Sequence, residues 1–160
     1  MTLPPLSLYV HLPWCIRKCP YCDFNSHEMR RDELPEDDYI RAVVADLEAA
    51  LPLIWGRSVH SIFIGGGTPS LFSPQAIERL VGDLRARLRL TPDCEITMEA
   101  NPATFDAGKA RHFLQLGVTR VSLGIQDFDP AVQQAINRVQ SEAETRAVID
   151  AARAAGIGSI

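Results

Sequence analysis

The sequence predicts an α/β protein built around a parallel sheet, and three observations carry that prediction. Short apolar runs rich in β-formers alternate with amphipathic stretches from one end of the chain to the other. Several amphipathic stretches open on a capping residue, and glycines punctuate the junctions. Alternation of this kind implies parallel strands joined by right-handed crossovers. A doubly wound sheet and part of a (β/α) barrel both satisfy it, and periodicity does not choose between them. A closed eight-fold barrel takes roughly 250 residues, so a chain of 160 supplies only part of one.

The elements follow in order. Residues 7–11 read as a first strand that leads straight into a cysteine-bearing loop. Asp37 to Leu51 sets Ile40, Val43, Val44, Leu47 and Leu51 at helical spacing. Residues 61–64 form a short buried strand that stops at Gly65-Gly66-Gly67, and Ser73 with Pro74 caps and opens the next helix. Residues 95–99 are a third strand, followed by a helix from Thr104 or Asp106 through Gln115 that ends at Gly117. Residues 120–124 are a fourth strand. Ser141-Glu142-Ala143-Glu144 is a capping box that leads a helix to Ala155, closed by Gly156. Ile157 to Ile160 opens a fifth strand and breaks off there. Four strand–helix units and the start of a fifth are therefore expected, with residues 1–160 forming the N-terminal part of a longer domain.

Composition narrows the function classes. Hydrophobic residues make up 46% of the chain and charged residues 22%, a globular balance. The net charge of −4 argues against a nucleic-acid partner, and Arg85, Arg87 and Arg89 read as the solvated end of a helix. No apolar run reaches the roughly 18 residues of a membrane span. Met1-Thr2-Leu3-Pro4-Pro5 lacks the basic and apolar regions of an export signal, so a cytoplasmic protein is expected.

In a reducing compartment, clustered cysteines point to metal rather than to disulfides. Cys15, Cys19 and Cys22 stand in CxxxCxxC spacing on one short loop. Three thiolates can hold three corners of an iron–sulfur cubane and leave the fourth iron open to a chelating ligand. Spacing alone also admits a structural zinc site, with His11 or His27 completing a Cys3His set. Cys94 is a poor fourth ligand. It precedes the third strand, whereas the cysteine loop follows the first, and in a parallel sheet those ends lie about 15 Å apart. It reads as a small core or rim residue.

The residues around this loop resemble the radical S-adenosylmethionine (SAM) proteins. The closest likeness is to the branch holding oxygen-independent coproporphyrinogen III oxidase and the haem chaperones of the HemW type. The match runs in order through residues 8–15 and 22–27, Phe63 to Leu71 with its Gly-Gly-Gly-Thr-Pro core, Glu99-Ala100-Asn101-Pro102 and Gly124-Ile125-Gln126-Asp127-Phe128. The resemblance implies a partial or complete (β/α) barrel of the radical SAM type, with its chemistry at the C-terminal ends of the strands. That is where every one of these motifs falls.

It further implies a [4Fe–4S] cluster on Cys15, Cys19 and Cys22, and SAM held by Gly66, Gly67, Thr68, Glu99, Gln126 and Arg138, with Tyr9 and Tyr21 beside the cluster loop. Glycine would let backbone approach the methionyl ammonium. Glu99 would accept from ribose hydroxyls or the ammonium, Gln126 would meet the sugar, and Arg138 would hold the carboxylate. The implied chemistry is one-electron cleavage of SAM to methionine and a 5′-deoxyadenosyl radical, fed by a flavodoxin-type reductant.

Two features separate the branch's members. The oxidase pattern carries a further cysteine where this chain has Phe24, and a longer segment before the first strand. Trp14 and the run from Cys22 to His27 are also chaperone-like. Gln126-Asp127-Phe128 and Asn137-Arg138-Val139-Gln140 are worded more like the oxidase. The expected function is therefore haem trafficking to haem-accepting proteins, with decarboxylation of coproporphyrinogen III or a non-catalytic zinc or iron–sulfur module as alternatives. His11, His27, His60 and His112 are scattered, and none is assigned as a haem ligand.

Overall fold

The computed structural model describes residues 3–138 and 140–160. Met1 and Thr2, and Val139 of the Asn137-Arg138-Val139-Gln140 motif, lie outside the described residues.

Leu6, Leu8, Val10 and Leu12 alternate with Ser7, Tyr9 and His11, and the period of two makes strand β1 (Leu6–Leu12). Two short strands that the sequence does not announce follow it, β2 (Trp14–Cys15) and β3 (His27–Glu28), paired in parallel as a separate ribbon. Helix α1 (Glu36–Ile54) runs past the expected Leu51 and tolerates Pro52 within its last turn. Strand β4 (Val59–Gly66) and helix α2 (Pro74–Arg87) come next. Ser73 caps α2 as expected, its hydroxyl accepting from the Ala76 amide at 3.1 Å. Its own amide and hydroxyl both donate to Glu36 at 2.6 Å, which ties the start of α2 to the start of α1.

Strand β5 (Leu90–Ala100) begins well before the expected Glu95. Of the two candidate starts for helix α3 (Ala107–Gln115), Asp106 is the cap, while Pro102–Thr104 forms a separate 3-10 turn. After β6 (Arg120–Leu123) comes a short helix, α4 (Pro130–Ala135), whose single turn and a half is too brief to show a hydrophobic period. Helix α5 (Glu142–Ala155) starts at the expected capping box and ends at Gly156 in the left-handed conformation. Of the expected fifth strand, one bridge is present, with Ser159 beside Arg120.

The main sheet has the order β1-β4-β5-β6, every pair parallel. Each new strand is added on the same side, and the order never reverses. A doubly wound sheet requires a reversal, so the choice that periodicity leaves open resolves toward an α/β partial barrel. Right-handed crossovers then put the helices on one face, where α1 meets α2, α2 meets α3 and α3 meets α5. Val10, Ile62, Ile64, Ile96, Met98 and Val121 turn toward them and are buried. Tyr9, Phe63, Glu95 and Ser122 are exposed on the opposite face, while Thr97 there is buried. No helix of the described residues is long and apolar enough to cross a membrane.

Candidate functional site

All four parallel strands end on one side of the sheet, so the loops that follow them converge there. The loop after β1 is closed at its base by two backbone bonds: the His27 amide donates to Pro13 O at 2.8 Å, and the Met29 amide to Cys15 O at 2.9 Å. Within it, the Cys22 amide donates to Cys19 O at 3.0 Å, and Lys18 Nζ donates to Phe24 O at 3.0 Å. Cys15, Cys19 and Cys22 are free thiols, each partly exposed. They border a cavity of about 270 Å³, which Tyr21, Gly66, Gly67, Thr68, Glu99, Gln126 and Arg138 also line. Ten of the eleven residues expected at the site therefore meet in one place.

Tyr9 is the exception. It lies on the open sheet face, stacked on Phe63 at 6.1 Å between ring centroids. It connects to the site through His11, whose Nδ1 lies 2.9 Å from the Tyr9 hydroxyl and whose Nε2 lies 2.8 Å from Asn25 O. A carbonyl only accepts, so this pattern assigns the proton to Nε2 and makes Nδ1 the acceptor from Tyr9. The Tyr39 hydroxyl donates to the His11 carbonyl at 2.8 Å. Both ring nitrogens of His11 are engaged, which removes it from a Cys3His set. His27, the other candidate, is exposed and does not border the cavity.

The glycine loop is held from all sides. The Gly66 amide donates to Glu99 Oε2 at 3.0 Å, the Gly67 amide to Leu12 O at 2.8 Å, and the Thr68 amide to Trp14 O at 2.8 Å. No amide proton of these three is left for a phosphate or carboxylate, so the loop suits a cationic group that needs acceptors. Gly66 has φ +115°, and a Cβ there would stand 2.5 Å from His11 Nδ1. At Gly67 a Cβ would stand 2.6 Å from Trp14 O. The missing side chains therefore accommodate the end of β1, which adds a packing reason to the one the sequence offers.

On the far side of the cavity, Arg138 Nε and Nη1 are buried without a hydrogen-bond partner among the described residues. Buried guanidinium nitrogens without a partner carry a desolvation cost that an anion would relieve. Gln126 and Asn137, neither of them glycine, hold left-handed backbone at φ +72° and +59°, and such conformations gather at functional sites. Burial pushes the Cys15 thiol above its ordinary value; the Thr68 hydroxyl, donating to Cys15 Sγ at 3.5 Å, opposes this, and the neighbouring thiols add to it. Burial likewise raises Tyr21, opposed by the Arg138 guanidinium. Gathering three thiolates thus calls for a compensating cation. Among the described residues no three His, Cys, Asp or Glu side chains are grouped as for a single metal ion. A cubane offers separated corners, so thiols around it need not converge on one point. The donor set and the two unsatisfied nitrogens of Arg138 fit a cluster with a carboxylate-bearing ligand.

Sequence reasoning missed the Tyr9–His11–Asn25 connection, which joins residues far apart along the chain. It also missed Lys109, a buried lysine whose Nζ donates to Ser70 O and to Thr104 O, the latter at 2.8 Å. Lys109 joins the loop after β4 to the loop after β5, and on a helix face it looks like any solvated lysine. Cys94 is half-buried in the first part of β5, away from the cavity.

The profile of the Radical SAM superfamily matches residues 9–160. The heme chaperone HemW of Haemophilus influenzae is 45% identical over 161 residues, which cover 98% of this chain and 42% of that protein. The oxygen-independent coproporphyrinogen III oxidase of Bradyrhizobium diazoefficiens is 40% identical over 155 residues, covering 96% and 34% respectively. Among solved structures, coproporphyrinogen III oxidase (HemN) from Escherichia coli, described as a radical SAM enzyme, superimposes with a TM-score of 0.89 at 35% identity, covering 97% of this chain and 36% of that one. The chain thus spans about two fifths of the length of the HemW relatives it matches. With its profile running almost from end to end and its partial barrel shared with HemN, the chain belongs to the radical SAM superfamily.

Proposed function

We propose that Cys15, Cys19 and Cys22 hold a [4Fe–4S] cluster at which SAM binds, and that the whole protein serves haem delivery to haem-accepting proteins. One observation carries the site: three thiols and a guanidinium with two buried nitrogens lacking partners among the described residues border one cavity at the C-terminal ends of four parallel strands. When bound, the reduced cluster supplies the electron that splits SAM into methionine and a 5′-deoxyadenosyl radical.

The chain's own residues bind and orient. Arg138 takes the SAM carboxylate, the acceptors of the Gly66–Thr68 loop take its ammonium, and Gln126 takes the sugar. Glu99 holds the glycine loop with Oε2, which leaves Oε1 for a ribose hydroxyl or the ammonium. Tyr21, 52% exposed, covers the rim. Tyr9 acts at one remove by orienting His11. An external one-electron donor of the flavodoxin type completes the cycle.

Phe24 favours the chaperone reading. It borders the cavity at the position where the oxidase pattern has a cysteine, and the HemW relatives are the more similar, at 45% and 46% identity. The wording of Gln126-Asp127-Phe128 sustains the oxidase as the second reading, with coproporphyrinogen III as substrate. The test is anaerobic reconstitution of the full-length protein, followed by assay of coproporphyrinogen III decarboxylation and by haem titration. Stoichiometric haem binding without decarboxylation is expected; turnover to protoporphyrinogen IX would install the oxidase reading instead.

A further inference from the structure

The helices that join parallel strands end where the next strand begins, so helix C-termini and strand starts share the end of the molecule opposite the cavity. The seven residues of β1, at roughly 3.3 Å each, set the two ends about 20 Å apart. Charge is sorted between them. Helices α1 and α5 open on acidic residues, Glu36, Asp37 and Asp38 in the first and Glu142 and Glu144 in the second. Arginines gather at the other end: Arg85 and Arg87 in the last turn of α2, Arg153 in that of α5, and Arg57 and Arg89 just before β4 and β5. Helix dipoles favour that arrangement within the last turns, but Arg57 and Arg89 stand beyond the helix ends. Arg87 pairs with Glu48 and Asp83. Among the described residues Arg57, Arg85, Arg89 and Arg153 pair with no carboxylate. Although Asp93 stands there too, a chain of net charge −4 thus carries a basic pole.

The same pole holds apolar side chains that folding does not call for. Leu53 is 83% exposed, Trp55 89% and Leu3 73%. Leu53 and Trp55 lie at the end of α1, and the Arg57 guanidinium, donating to Pro4 O, brings Leu3 and Pro4 to the same edge. Trp55 is the C-cap of α1 at φ 41°, followed by Gly56 at φ 65°. Glycine suits such a left-handed position, and a bulky aromatic is costly in it. A tryptophan here neither packs nor eases the turn; the turn holds its ring in solvent. Indole and leucine beside arginines without carboxylate partners are the make-up of a surface that seats at a bilayer interface. The ring lies at headgroup depth there, and the guanidinium groups meet anionic headgroups.

We propose that this basic pole, centred on Trp55 with Leu53, Arg57 and Arg89, docks on the surface of an anionic lipid bilayer. A few apolar side chains and a few charges make the attachment weak, reversible and sensitive to salt. The sheet then stands on the starts of its strands, and the cysteine-lined cavity opens away from the lipid, at the opposite end. Docking of this kind is independent of what the cavity binds.

The test is co-sedimentation of the full-length protein with phosphatidylcholine vesicles, made with and without phosphatidylglycerol. Binding is expected to the anionic vesicles and not to the zwitterionic ones, and it should fall as salt rises. Lipid brominated in its acyl chains is expected to quench the fluorescence that wild type has and Trp55→Phe lacks. Arg89→Glu is expected to weaken binding about tenfold or more. Trp55→Gly is expected to weaken it about fivefold or more, while its denaturant midpoint holds or rises because glycine suits the left-handed C-cap. A merely structural tryptophan would lower that midpoint instead. Equal binding to both kinds of vesicle, or anionic-vesicle affinity unchanged in Trp55→Gly and Arg89→Glu, overturns the proposal. So does a wild-type protein that stays in the supernatant; if it also self-associates and Trp55→Gly does not, the face belongs to a second copy of the chain.

Discussion

The imidazole of His11 occupies the space into which a side chain on Gly66 would grow: a Cβ there would lie 2.5 Å from Nδ1. The same ring holds Asn25 O, so the end of the cysteine loop and the glycine loop are set against each other through one histidine.

Gly66→Ala accordingly meets two penalties, a positive φ of 115° and the displacement of His11. A loss of about 2–4 kcal/mol is expected from strain and steric conflict together, read as a lowered denaturant midpoint. SAM affinity should fall with it, because Glu99 loses its hold on the Gly66 amide. A midpoint unchanged from wild type would show that His11 moves aside freely.

Cys19→Ala removes one of three thiols that have no substitute nearby. The variant should reconstitute with little iron and sulfide and lack SAM cleavage, both measured on purified protein. Full iron content with normal cleavage would remove Cys19 from the ligand set.

Arg138→Ala removes the guanidinium from the cavity. Loss of a charge-assisted pair is worth about 1.5–3 kcal/mol, so SAM should bind roughly ten- to a hundredfold more weakly by calorimetry. Apo-protein stability should hold or rise, since Nε and Nη1 are buried without a partner among the described residues. Arg138→Lys should recover only part of the affinity, because an ammonium lacks the planar fork.

Lys109 links Ser70 O and Thr104 O, and Lys109→Met leaves both carbonyls without that donor. A destabilisation of about 1–3 kcal/mol is expected. Burial, helped by Arg31, pulls the Lys109 ammonium below its ordinary value. The folded chain then binds this proton less tightly than the unfolded chain does. The Lys109 contribution to stability therefore rises with pH between the lowered folded value and about 10.4. Denaturation midpoints across that alkaline window should climb less in Lys109→Met than in wild type.

At the other end of the pH scale, the Arg79 guanidinium holds the Asp37 carboxyl below the usual range and joins α1 to α2. A lowered carboxylate stabilises above its unfolded value of about 3.9 and loses that effect as pH falls through the folded one. Asp37→Asn should lower neutral stability slightly and flatten the acid limb of the profile by the same small amount, since the pair is exposed.

The sequence discloses what depends on neighbouring residues and conceals what depends on distant ones. Alternation in β1, the apolar run of β4, the Ser73 cap and the Ser141 capping box are local signals, and each element appears where they place it. The cysteine spacing and the glycine run are local too. The early start of β5 is hidden by Thr91, Pro92 and Asp93, which read as a turn; pairing of Leu90 with Val59 makes them strand. The β2–β3 ribbon joins Trp14 to His27 across the loop, and no periodicity marks it. Lys109 and His11 act through partners far along the chain, so their residue types alone reveal nothing.

Because every strand of the main sheet pairs with the one made just before it, the sheet grows outward in the order of synthesis. Cys15, Cys19 and Cys22 leave the ribosome with β1, Glu99 follows with β5, and Arg138 comes after β6. The thiol loop is thus finished while the residues that enclose it are still unmade. During that interval its thiols stand open to solvent, and the cavity closes over them last.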